Sequence, residues 1–196
     1  MMGPAWGSVI YVKANATGNK TGTSWTNAYT DVQAALRAAR ANDEIWVAEG
    51  TYKPTTGQDQ NQTITLVPQV AVYGGFAGSE NARSQRNWTT HSTILSGSIG
   101  DSANDSDNSY HVVTGASFAV LDGFTIRDGN AIGIDGGGLT TKSGVDSMIV
   151  ANCVFTKNRA GMWGGAIAAY GKTFISNCIF TENHALYGGG VIFGEG

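Results

Sequence analysis

The sequence predicts an all-β fold: a right-handed parallel β-helix with coils of about 25 residues, closed at its N-terminal end by an amphipathic helix. Three observations carry that expectation. A block recurs along the chain, the apolar residues inside it alternate with period two, and glycine is doubled. Residues 151–168 (ANCVFTKNRAGMWGGAIA) align with 176–192 (SNCIFTENHALYGGGVI). Asn152, Cys153, Phe155, Asn158 and Ala160 return 25 residues later as Asn177, Cys178, Phe180, Asn183 and Ala185. The glycines then return with one residue deleted, Gly164-Gly165 as Gly188-Gly189. A looser copy occupies 121–139, with Phe124 and Ile126 in the places of Cys153 and Phe155. A repeat of this length marks a solenoid, in which each unit buries its apolar face against its neighbours.

Taken in order, residues 10–44 read as a strand followed by a helix. Thr30 or Asp31 can cap that helix, and Val32, Leu36 and Ala39 line one face through Arg40. A solenoid needs its end strand covered, and this pair supplies the cover. Residues 45–196 are then the coils. Short apolar runs at 45–52, 63–67, 70–76, 93–95 and 110–113 are bounded by turn residues. Polar insertions at 53–62, 77–92 and 97–109 interrupt them and should leave the solenoid as loops. Within the repeats, Phe124/Ile126, Cys153/Phe155 and Cys178/Phe180 alternate with β-forming residues, and no copy carries a 3.6-residue stripe. Stacked coils place equivalent strands about 4.8 Å apart, with Gly and Asn at corners that need positive φ. The 28 glycines in 196 residues, against about 14 at average usage, fit those corners. The whole chain reads as one β-helix domain. It stops part-way through a repeat with no cap in view, so the expectation is a fragment of a longer protein, or an end covered by a second copy of itself.

Charge narrows the partners. Twelve Lys and Arg against 15 Asp and Glu leave −3, with no basic cluster, which argues against nucleic acid. No run of 18 apolar residues exists, so no segment is expected to insert in a membrane. Residues 1–7 lack the charged and apolar regions of a signal peptide. Cys153 and Cys178 are too few for a metal set; they are either stacked buried thiols or a disulfide between coils.

The repeats also resemble known proteins. FTKN (155–158) with GGAI (164–167), and FTEN (180–183) with GGGV (188–191), are similar to the paired FxxN and GGA[ILV] repeats of polymorphic outer-membrane proteins. Residues 10–52 resemble the opening of bacterial parallel β-helices of the pectin-lyase-like superfamily. VYGGFAGSE (72–80), SQRNW (84–88), DNSYHVVTG (107–115) and LDGFTI (121–126) resemble the same surface proteins. The resemblance implies a secreted or surface-displayed bacterial β-helix, structural or adhesive in role. Other proteins on this fold are polysaccharide lyases and glycoside hydrolases, so the alternative is a polysaccharide-degrading enzyme with a cleft along one sheet.

Candidate chemistry follows from residue type. Glycoside hydrolysis needs two carboxylates flanking a sugar bond, and a lyase needs a base beside a cation. Asp122, Arg127, Asp128 and Asp135, with His111, are the candidates, and the same Asp residues also suit turns. Trp163 and Tyr187, each before a double glycine, could form an aromatic ledge for sugars or pack over a corner. No cofactor is required, but Asp101, Asp105 and Asp107 offer hard oxygen ligands for calcium, without the order of a calcium-binding loop. Asn158 and Asn183, one coil apart, should stack as an asparagine ladder, as Cys153 and Cys178 should stack beside them.

Overall fold

A computed structural model describes residues 7–101 and 103–194. The chain enters through β1 (Val9–Val12) and α1 (Val32–Ala38) and then winds through five coils. The first holds β2 (Glu44–Ala48), β3 (Gly50–Tyr52) and β4 (Ile64–Thr65); the second holds β5 (Ala71–Phe76), β6 (Thr93–Ser96) and β7 (Val113–Thr114). The third gains a strand: β8 (Val120–Asp122), β9 (Thr125–Arg127), β10 (Asn130–Ala131) and β11 (Leu139–Thr140). The fourth repeats it as β12 (Met148–Ala151), β13 (Val154–Thr156), β14 (Arg159–Ala160) and β15 (Ile167–Ala169). The fifth closes with β16 (Thr173–Ser176), β17 (Ile179–Thr181), β18 (His184–Ala185) and β19 (Ile192–Gly194).

Equivalent strands stack into four sheets. Sheet 1 runs β1-β2-β5-β8-β12-β16, sheet 2 β3-β6-β9-β13-β17, sheet 3 β10-β14-β18 and sheet 4 β4-β7-β11-β15-β19. All of these pairings are parallel, so the expected parallel β-helix is the fold. In-register stacking turns the period-two pattern into apolar columns. Ile45, Val72, Leu121, Val150 and Ile175 form one; Tyr52, Leu95, Ile126, Phe155 and Phe180 form another; Ile64, Val113, Leu139, Ile167 and Ile192 form the third. Each buried member contributes roughly 1.5–3 kcal/mol. The columns are sealed as far as the fourth coil and open in the fifth, where Ile192 is 40 % exposed while Ile167 is fully buried.

The helix is the expected cap, shortened. Asp31, not Thr30, holds its start, with Oδ1 accepting from the Ala34 N–H at 2.7 Å. It ends at Ala38 instead of Arg40, because Ala39 is extended and the Arg40 N–H donates to Asp43 Oδ2 at 2.8 Å. Val32, Ala35 and Leu36 are the buried face. Nor does the 77–92 insertion bulge freely. It folds back over the outer face of sheet 1, where the Trp25 indole donates to the Glu80 carbonyl at 2.7 Å and Trp46 stacks on Phe76 at 4.9 Å.

The repeat register differs from the sequence alignment at one point. Trp163 bridges Gly188, and Ile167 pairs with Ile192. The spacing of 25 therefore continues without a deletion: Gly164 corresponds to Gly189, and Gly165 to Gly190. Gly164 (φ 63°) and Gly189 (φ 56°) take the left-handed corner. The glycine that follows has no room for a side chain, since a Cβ on Gly165 would lie 2.4 Å from the His184 carbonyl. In a run of three glycines, residue type does not say which one turns the chain; the pairing of β15 with β19 does.

Candidate functional site

The three candidate aspartates all lie on the third coil, but at three different corners. Asp122 ends β8 between sheets 1 and 2. Its Oδ2 meets Arg86 Nη2 at 2.8 Å, and its Oδ1 accepts from Asn152 Nδ2 at 2.8 Å. Asp128 turns the chain from sheet 2 to sheet 3 at φ 62°, accepts from Ser96 Oγ at 2.8 Å and pairs with Arg127 Nε at 3.2 Å. Asp135, before sheet 4, accepts from the Trp163 N–H at 2.6 Å and from the Tyr170 hydroxyl. Each carboxylate is thus engaged in holding a different corner.

His111 meets the backbone beside one of them. Its Nδ1 lies 2.8 Å from the Gly136 carbonyl, which assigns the proton to Nδ1, and Asp135 is the residue before that carbonyl. Burial pushes His111 below its ordinary value, and the Gly136 hydrogen bond and Asp135 charge only partly oppose this. The unfolded chain therefore binds this proton more readily than the folded one. Stability from this group is complete above about pH 6.5 and is lost as pH falls through the depressed native value. His111→Asn is expected to flatten the fall in denaturation midpoint between about pH 7 and pH 5, measured by urea titration; an unchanged pH profile would refute the assignment.

The calcium candidates sit in the 97–109 loop, Asp105 and Asp107 at the two ends of a short helical turn and Asp101 before it. Asp107 Oδ2 accepts from the Asp101 N–H at 2.9 Å, and Asp101 Oδ1 from the Ala103 N–H at 3.0 Å. Among the described residues no group of three or more His, Cys, Asp or Glu is placed to hold a metal ion. The loop is fixed from outside: Gln60 Nε2 donates to the Ser106 and Asn108 carbonyls at 2.8 and 2.9 Å, and Asn130 Nδ2 to the Asp105 carbonyl at 2.8 Å.

Asn158 and Asn183 lie in register at the corner between sheets 2 and 3. Asn158 Nδ2 donates to the Ile126 carbonyl at 3.0 Å and its Oδ1 accepts from Gly129 N at 3.1 Å. Asn183 repeats the pattern one coil on, to Phe155 at 2.8 Å and from Asn158 N at 3.1 Å. Cys153 and Cys178 are free thiols. Burial pushes Cys153 well up, while accepting the Cys153 S–H holds Cys178 down at about 7.

Trp163 and Tyr187 meet at 6.2 Å between ring centroids, though the register makes them neighbours rather than equivalents, because Gly188 holds the position of Trp163. Trp163 also stacks on Phe193 at 5.7 Å. Tyr187, 66 % exposed, instead lines a groove of about 620 Å³ that crosses the outer face of sheet 3. Asn130 and Arg159, paired across β10 and β14, lie along it. Lys157 stands at the sheet 2 side, while Ile132, Met162 and Leu186 join Tyr187. Asp105 and Asn108 of the tethered loop close one end.

One family profile, described as a protein of unknown function (DUF1565), matches residues 14–194. The chain belongs to this family. No curated protein and no solved structure matches it. The DUF1565 match takes in the end-cap helix, all five coils and every residue of the groove.

Sequence reasoning pointed to Tyr187 and Asp105 for separate reasons and missed that this DUF1565 chain brings them to one groove. It passed over Arg159, Lys157, Ile132 and Met162. A signal was present, because Arg159 and Lys157 flank the ladder residue Asn158 in a chain with few cations. It also passed over Arg86, which lies inside the SQRNW stretch.

Proposed function

We propose that this chain is a structural and adhesive β-helix module of a secreted or surface-displayed bacterial protein, and that the sheet 3 groove contacts carbohydrate. The observation that carries the reading is the groove itself: a recess of about 620 Å³ with an exposed aromatic ring, apolar side chains and a few polar groups, on a scaffold of in-register coils. The size is that of small-molecule sites generally, and an aromatic face beside polar groups suits a sugar ring. The engagement of Asp122, Asp128 and Asp135 in corner contacts favours contact over cleavage. The resemblance of the repeats to those of polymorphic outer-membrane proteins, and of the N-terminal region to the pectin-lyase-like superfamily, supports the location and role. A panel of acidic and neutral polysaccharides tests it. Retention of at least one glycan without release of reducing ends or unsaturated product is expected, with retention lost in Tyr187→Ala. Turnover that disappears in Asp128→Asn would replace this reading with the enzymatic one.

A further inference from the structure

We infer that the sheet 3 groove selects an anionic glycan, one carrying carboxylate or sulfate groups, and that Arg159 is the residue that selects it. This rests on the glycan reading above and adds the charge of the ligand. Arg159 lies on β14 in the middle of its sheet, in register with Asn130 on one side and His184 on the other. Its guanidinium has no hydrogen bond or ion pair among the described residues; Arg37 and Arg40 by the end cap share that, Arg83, Arg86 and Arg127 each hold a carboxylate, and of the six only Arg159 lines the groove. A planar guanidinium offers a fork of donors that matches carboxylate or sulfate oxygens two at a time.

A second cation stands beside it. Lys157 Nζ is 4.0 Å from Glu182 Oε2, and both side chains are more than 60 % exposed, a pairing loose enough to yield to a ligand. Facing these charges, Ile132 (57 % exposed), Met162 (38 %) and Tyr187 (66 %) give the groove an apolar side for the C–H face of a sugar. Asp105 bears the opposite charge, but it belongs to the loop at the β10 end. The anion is therefore placed over β14, away from that loop.

Calorimetric titration with alginate and dextran sulfate oligosaccharides, against maltohexaose and dextran as neutral controls, tests the inference. At least one charged ligand is expected to bind about tenfold or more tightly than the neutral pair, and more weakly as sodium chloride rises from about 0.05 to about 0.3 M. Arg159→Ala should lower that affinity about tenfold or more, and Arg159→Lys by less, because the charge survives without the fork. Lys142→Ala, which removes a cation outside the groove, should leave it unchanged. Alginate alone would assign carboxylate and dextran sulfate alone would assign sulfate. Equal binding of neutral and charged ligands, silent in Arg159→Ala and lost in Tyr187→Ala, overturns charge selection and leaves the glycan reading standing. An equal loss in Lys142→Ala overturns the site. Binding of none of the four overturns both readings. Arg159 is exposed and its guanidinium holds no partner among the described residues, so its variants are expected to retain the fold and each outcome is readable.

Discussion

Asn158→Ala is expected to destabilise the protein by about 3–4 kcal/mol, which for a chain of this size lowers the thermal midpoint by about 10 °C. The side chain is 1 % exposed, so no water replaces what it provides. Its loss removes the acceptor of the Gly129 N–H, leaving that backbone group buried without a partner, and takes the side-chain donor from the Ile126 carbonyl. Such an orphan costs about 1–3 kcal/mol, and each ordinary hydrogen bond lost with it adds about 1 kcal/mol. The link to Asn183 Oδ1 at 3.0 Å goes as well. Asn183→Ala provides the contrast. It sits half-buried on the open fifth coil, so water can enter in its place and take over its bonds to Phe155 and Asn158, and a loss of about 1 kcal/mol is expected. Asn158→Asp separates hydrogen bonding from packing. It keeps the size and the acceptor but turns an oxygen toward the Ile126 carbonyl, and it should be at least as damaging as alanine. Urea denaturation with a constant slope measures all three. A loss below about 1 kcal/mol in Asn158→Ala would mean that packing alone holds the corner.

The ladder was legible because its residues repeat, and the same is true of the whole coil interior. Phe155 and Phe180 recur at the repeat spacing, and parallel stacking at a fixed rise leaves them one place to go, with ring centroids 5.3 Å apart. What did not repeat was not legible. The 25-residue spacing placed Trp163 against Tyr187 only by assuming a deletion, and strand pairing moves Gly188 to that place. The corner between sheets 2 and 3 is turned by Asp128, Lys157 and Glu182 at φ 62°, 56° and 55°; Asp suits such a turn, but Lys and Glu give no sign of it. They hold that conformation because the next position is fixed by the asparagine ladder or, at Gly129, by a carbonyl that would lie 1.8 Å from a Cβ. The groove was illegible for a related reason. Its two sides come from three coils and an insertion, and sequence spacing carries no information on where a loop anchored by Gln60 and Asn130 comes to rest.

Arg86→Ala is the second large effect, with an expected loss of about 3–5 kcal/mol. Two ion pairs sit on the outer face of sheet 1, and exposure separates them. Arg83 and Glu44 are 48 % and 29 % exposed, so their pair adds less than about 1 kcal/mol. Arg86 and Asp122 are 9 % and 14 % exposed, and Arg86 does more than balance a charge. Its Nη1 donates to the Gly74 and Asp122 carbonyls at 3.1 Å each, and its guanidinium lies 5.0 Å from the Tyr73 ring and 4.7 Å from the Trp88 ring. It is the pin that joins the 77–92 insertion to the second and third coils. Removing it strands the Asp122 carboxylate with only Asn152 as partner among the described residues. Asp122→Asn in the Arg86→Ala background removes that stranded charge and should recover about 1 kcal/mol or more, a coupling that two independent sites would not show. The insertion should also become a site of limited proteolysis in Arg86→Ala, at a rate set by its local opening rather than by global unfolding. Additive losses in the double variant, with the 77–92 segment still resistant to protease, would reduce Arg86 to a surface contact and return the hold on the insertion to Trp25 and Glu80.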